Sequence, residues 1–126
     1  MSKLSKIVLI LSLCFFSKNG LSIDFLNCIS DVPINNYIIE KKDTCFLFDS
    51  DTGRIVSVEA ISNQKKIDIE AFYKVTLKQF GWTISNKSNS KVLLLIRDDE
   101  ILKINIKKIN SSNLITYSSF LSLKIN

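Results

Sequence analysis

Between Ile69 and Phe80 the side chains Ile69, Phe72, Tyr73, Thr76, Leu77 and Phe80 form a stripe recurring every three or four residues, and in the flanking segments apolar residues recur every second position. The first spacing belongs to an amphipathic helix, the second to strands with one dry and one wet face. Asp68 and Glu70 near the start of the stripe and Lys78 near its end match the helix dipole, and Glu70 with Lys74 forms a favourable i,i+4 pair. Gly81 stops the helix, because a left-handed residue after the last turn suits glycine best, and Trp82 is expected to fold back onto that turn.

Before the helix, Thr44–Phe48 reads as a strand, Asp49–Gly53 as a turn and Arg54–Ile61 as a second strand with Val56, Val58 and Ala60 on one face. After it come a short strand over Thr83–Asn86, a polar loop, a buried strand over Lys91–Arg97 and a tight acidic turn at Asp98, Asp99 and Glu100. Ile101–Ile109 then alternates, Ser111–Asn113 turns, and Leu114–Leu123 is the last strand. Strands joined by such short turns are antiparallel. The expected fold is therefore α+β and two-layer: one helix packed on an antiparallel sheet of about five strands, in the order β-β-α-β-β-β.

The N-terminus obeys a different rule. Lys3 and Lys6 precede the uncharged run Ile7–Phe16, and a polar stretch with Lys18 and Asn19 follows, which is the order of a secretory signal. Ten helical residues rise about 15 Å against a hydrocarbon core of about 30 Å, too short for a stable span. Gly20 and Ser22 suit signal peptidase, so cleavage is expected before Ile23. An uncleaved anchor, a buried N-terminal helix of a cytosolic protein, and lipidation at Cys14 are the alternatives. The expected organisation is a signal peptide over 1–22, an extended arm over 23–42 held open by Pro33, and a single α+β domain over 43–126, with the protein in the periplasm or secreted.

Charge and cysteines follow from this division. The chain has 17 basic and 12 acidic residues, but Lys3, Lys6 and Lys18 leave with the leader, so the remainder carries +2. Its lysines interleave with acids, which argues against nucleic-acid binding and against a polybasic membrane contact. Cys28 and Cys45 would meet an oxidising compartment, where one disulfide is the economical reading; unpaired structural thiols and a catalytic thiol are the alternatives.

Chemistry is thin. There is no histidine, so any catalysis would rest on carboxylates, Lys, Ser or Cys. Asp51-Thr52-Gly53 resembles the aspartic-protease triplet, but Arg54 stands where those enzymes carry Ala or Ser, and the bracing apolar-apolar-Gly segment is missing. A calcium loop starting at Asp49 fails because Gly53 comes one position early and Ala60 occupies the twelfth place. No catalytic, cofactor-binding or metal-ligating residue is assigned, and no cofactor is expected. Asp98, Asp99 and Glu100 are the candidate interaction residues, facing a basic partner. Phe72, Tyr73, Phe80 and Trp82 could line a pocket, though aromatics on such a stripe are usually core.

Asp31-Val32-Pro33, Phe48-Asp49, Gly53-Arg54-Ile55, Phe72-Tyr73 with Leu77, Phe80-Gly81-Trp82 and Glu100–Ile104, in that order, resemble an uncharacterised family of small exported bacterial proteins of alphaproteobacterial type. The resemblance spans about residues 31–123 and departs from the family pattern at Ile34-Asn35-Asn36-Tyr37, where a Gly-Pro-rich stretch is usual. It implies a periplasmic setting and brings no activity or ligand with it. The expected function is that of a non-enzymatic envelope protein, a structural or protein-binding accessory whose partner is an unknown envelope protein and whose contact surface is the open rim of the sheet. A small apolar-ligand binder and a carboxylate-dependent hydrolase are the other readings.

Overall fold

A computed structural model of the chain describes residues 23–122. The leader assigned to 1–22, with Cys14 and the cleavage site, and Leu123 at the end of the last strand lie outside the described residues. The arm opens with a two-strand antiparallel ribbon, β1 (Asp24–Phe25) against β2 (Pro33–Ile34). Then come β3 (Ile38–Glu40), a 3-10 turn (Lys42–Thr44), β4 (Phe46–Ser50), β5 (Gly53–Ser62) and the helix α1 (Lys66–Gln79). The chain ends with β6 (Thr83–Ile84), β7 (Val92–Arg97), β8 (Glu100–Ile109) and β9 (Ser112–Ser122).

The expected sheet of about five strands under one helix is corrected by this arrangement. Just over half of the described residues are strand, and seven strands join one antiparallel sheet in the order β3-β5-β9-β8-β7-β6, with β4 also paired to β5. The extra strands are two or three residues long, too short for alternation to register, and β1, β2 and β3 come from an arm whose Pro and Asn residues read as turns. Leu26, Ile29, Val32 and Ile38 of that arm enter the core, and Ile38–Glu40 pairs with Ala60–Ser62.

Turn chemistry fixes the long hairpins. The β7–β8 loop is Asp98-Asp99 and the β8–β9 loop Asn110-Ser111; Asp98 and Asn110 both take φ near 52°. Asp and Asn tolerate the left-handed region better than other non-glycine residues, so they begin these two-residue loops. The last turn thus lies one residue earlier than expected, and Asn113 is buried in β9, donating to the Gln64 carbonyl at 2.8 Å. Gly53 lies at the start of β5 for a different reason: a Cβ there would collide with the Leu121 carbonyl and the Phe120 ring.

The helix starts three residues before its stripe and lacks a side-chain cap; Glu70 pairs back to Lys66 at 3.8 Å rather than forward to Lys74. Its end is a Schellman closure. Gly81 (φ 89°) donates to the Lys78 carbonyl, and Trp82 to the Leu77 carbonyl at 3.0 Å, which turns the indole back under the last turn. Ile69, Tyr73, Thr76 and Leu77 are buried, Phe72 is half-buried and Phe80 is exposed.

At the centre of the core the hydroxyls of Tyr73 on α1 and Tyr117 on β9 meet at 2.5 Å, fully buried, with the rings edge to face. Each hydroxyl is the other's partner, so the pair satisfies two polar groups that water cannot reach. Burial pushes both phenol pKa values up, that of Tyr73 further by the neighbouring Tyr117. Cys28 and Cys45 are bridged, with Cα atoms 5.6 Å apart, joining the arm to the start of β4.

Two predictions follow from the core. Tyr73→Phe or Tyr117→Phe alone should cost about 1–3 kcal/mol in urea unfolding, because each strands a buried hydroxyl, while the double variant should cost less than the sum. The folded-state pKa values lie above the ordinary tyrosine value of 10.0, so the unfolded chain loses protons first. Stability from the pair is therefore intact below that pH and declines as pH rises through it, a decline the double variant should lack.

Candidate interaction surface

The residues singled out in the acidic turn are placed very differently from one another. Glu100 belongs to β8 opposite Arg97, and its carboxylate accepts from the Arg97 guanidinium at 3.1 Å. Asp98 is exposed in the loop, while the Asp99 carbonyl accepts from the Ser122 amide. The turn is therefore not a uniform acidic patch. Arg97 also donates to Asp31 and to the Phe80 carbonyl, and lies over the Trp82 indole with 4.3 Å between Cζ and the ring centroid. Burial works against the Arg97 charge, but the carboxylates of Asp31 and Glu100 outweigh it, so the pKa stands above the ordinary guanidinium value.

The carboxylates weighed for hydrolysis or calcium sit at the far end of the β4–β5 hairpin. Asp49 lies opposite Arg54 and accepts from Nε at 2.7 Å and from Nη2 at 3.4 Å, while Asp51 is at the exposed loop tip. This is a cross-strand ion pair beside a loop residue. The aromatics weighed for a pocket are committed to packing: Tyr73 to Tyr117, Phe72 edge-on to Tyr73, Phe80 to Phe25 and Trp82 to Arg97. An open groove of about 720 Å³ lies between β1 and β3, with Cys28, Cys45, Ile38 and Glu40 in its wall. Glu40 is occupied there in accepting from the amides of Asn27 and Cys28.

The strands also leave an apolar face uncovered. On the face turned away from α1, direct cross-strand neighbours form one row: Phe48, Ile55, Phe120, Ile101 and Ile96, ending at Thr83 on β6. Phe120 is half-buried and the other four apolar residues are exposed. Further along the same face Phe46 faces Ser57, which faces Ser118 and then Lys103, so the row is bordered by polar side chains. A connected apolar strip rimmed by polar groups is the usual form of a protein contact.

The two rims of the sheet are unequal. Along β7, the loop 85–90 supplies partners to the backbone. Leu94 bonds through its carbonyl to the Ser85 amide at 2.8 Å and through its amide to the Ser88 hydroxyl at 2.9 Å. Val92 likewise bonds the amide and side chain of Asn89. That stretch of β7 is chemically closed, and β6 covers the rest of the strand at Leu95 and Ile96. On the other side Phe46, Leu47 and Phe48 of β4 are 59%, 53% and 52% exposed, and among the described residues nothing bonds the outward backbone of Phe46–Asp49. Natural edges carry lysine, proline or a bulge to discourage pairing, and β4 carries none of them.

Sequence reading reached the hairpin and the open rim but missed Arg97 as a junction, because its partners Asp31 and Phe80 are remote in sequence. The outer row had a visible signal, since Phe46-Leu47-Phe48 and Ile101-Leu102 interrupt strict alternation. For the junction, Arg97→Lys keeps the charge but loses the planar fork and the stacked face, and should lower stability by about 1–3 kcal/mol in urea unfolding at unchanged slope. A change within a few tenths would show that the cluster carries no weight. Comparison of the chain with protein-family models, with curated proteins and with solved structures finds no match.

Proposed function

We propose that the protein is a non-enzymatic exported accessory of the cell envelope that binds another protein through the outer face and the open rim of its sheet. The observation that carries this reading is the coincidence of an unshielded strand, β4, with the end of the apolar row Phe48–Ile55–Phe120–Ile101–Ile96. An exposed strand offers backbone donors and acceptors, and the adjoining apolar row supplies the burial that such pairing needs to be specific.

The periplasmic or secreted setting rests on the signal-like order of residues 1–22 and is supported by the Cys28–Cys45 bridge, which suits an oxidising compartment. Among the described residues no helix is long and apolar enough to cross a membrane. Family membership is proposed on the same footing. Asp31, Phe80, Trp82 and Glu100, drawn from three of the motifs behind the resemblance, all converge on Arg97.

A photo-crosslinking residue placed at Phe48 should capture a discrete protein in intact cells, whereas one at Lys74, on the exposed side of α1, should not. Equal capture from both positions, or none from Phe48, would count against this surface.

A further inference from the structure

We infer that the Cys28–Cys45 bridge is a thiol–disulfide exchange site that the folded chain offers to the dithiol of another protein, with the Cys45 sulfur as the atom attacked, a role independent of β4 as a contact edge.

Cysteine is among the most buried residue types, and buried structural cysteines are inert. Here Cys45 is exposed, Cys28 is half-buried, and both stand in the wall of the open groove between β1 and β3. Exposed bridges are the labile ones, because exchange requires a thiolate to reach one of the two sulfurs. Phe25, Ile34 and Ile39 make the groove partly apolar, which suits the side chains flanking a partner's cysteine.

Neither end of the bridge relies on it for position. On the arm side Leu26, Ile29 and Val32 are in the core, and the Glu40 carboxylate accepts from the amides of Asn27 at 2.7 Å and Cys28 at 3.0 Å. On the other side the Thr44 hydroxyl donates to the Lys41 carbonyl at 2.7 Å and accepts from the Glu59 amide at 3.0 Å, and Phe46 pairs with Ser57. Opening the bridge therefore leaves both cysteines in place within an intact fold.

In the exchange a thiolate of the partner bonds to the Cys45 sulfur, the Cys45–Cys28 bond breaks, and Cys28 leaves as a thiolate that takes a proton from water. The Cys28 Sγ lies 3.6 Å from the Ser57 carbonyl oxygen, so the new thiol has an acceptor already in place. The partner's second thiol then loses its proton and displaces Cys45, which leaves as a thiolate and is protonated in turn. The partner ends as a disulfide, oxidised by two electrons, and this chain as two thiols. With Cα atoms held 5.6 Å apart, closure by an oxidant is intramolecular once one cysteine has been attacked.

The test uses the full chain expressed from Met1 in a Cys14→Ser background, where Cys28 and Cys45 are the remaining cysteines. Dithiothreitol at about 1 mM and about pH 8 should reduce the bridge in native buffer within about ten minutes, and urea below the unfolding midpoint should change the rate less than about twofold. The circular dichroism spectrum should be unaltered by reduction. Thioredoxin, as the protein dithiol, should act at least about tenfold faster than dithiothreitol at equal concentration. With reduced glutathione, acid quenching should trap the mixed disulfide on Cys45 about tenfold more often than on Cys28. A bridge that yields only as urea unfolds the chain, a fold lost on reduction, thioredoxin no faster than dithiothreitol, or equal trapping on the two sulfurs overturns the exchange site.

Discussion

The guanidinium of Arg97 holds four separate parts of the chain in one place. It reaches Asp31 in the arm, the carbonyl of Phe80 just past the helix, the indole of Trp82 and Glu100 across the β7–β8 hairpin. A guanidinium suits this junction because its planar fork can address carboxylates in its plane while an aromatic ring packs against its face. The junction exists only because Gly81 adopts a positive φ and returns Trp82 beneath the last helical turn. Local backbone permissiveness at one glycine thus sets where the arm and the second half of the sheet meet.

The polar content of the interior is sparse and mostly reciprocal. Tyr73 and Tyr117 answer each other across the space between helix and sheet, and Asn113 answers the Gln64 carbonyl. Such pairs contribute little net stability compared with apolar burial, but they penalise any arrangement that separates the partners, which favours one registry of α1 over β9. The Cys28–Cys45 bridge does the comparable task covalently, tying the arm to the start of the rim strand.

How much of this was legible depended on length and locality. The helical stripe, the stop at Gly81, the β4–β5 hairpin and the long alternating strands β8 and β9 were readable because each spans enough residues for a period to show or carries a local turn signal. The strand count was not, because β1, β2 and β3 hold two or three residues each and owe their conformation to partners outside their own segments, as when Ile38–Glu40 pairs with Ala60–Ser62; the equally short β6 was read over Thr83–Asn86 and spans only Thr83–Ile84. For the candidate surface, the rim was foreseeable from an apolar strand followed by a turn. The outer row was visible only in part: Phe48 and Ile101 stand out as breaks in alternation, while Ile55, Phe120 and Ile96 each look incidental within their own strand. Glu100 was named as an interaction residue, yet its carboxylate is occupied within the molecule by Arg97, a pairing that the three-residue spacing hinted at and the acidic composition masked.

The order of the strands puts the last one in the middle. β9 lies between β5 and β8, pairing along ten residues of each, so the strand latest in chain order is the seam between the two halves of the sheet. Until Leu114–Ser122 is available, β5 has only β3 and β4 beside it, and Val58 and Ala60 lack Tyr117 and Ile115 opposite them. The strands that precede β9 therefore cannot complete the core among themselves. Loss of Leu114–Ser122 would split the structure down its centre instead of fraying a margin.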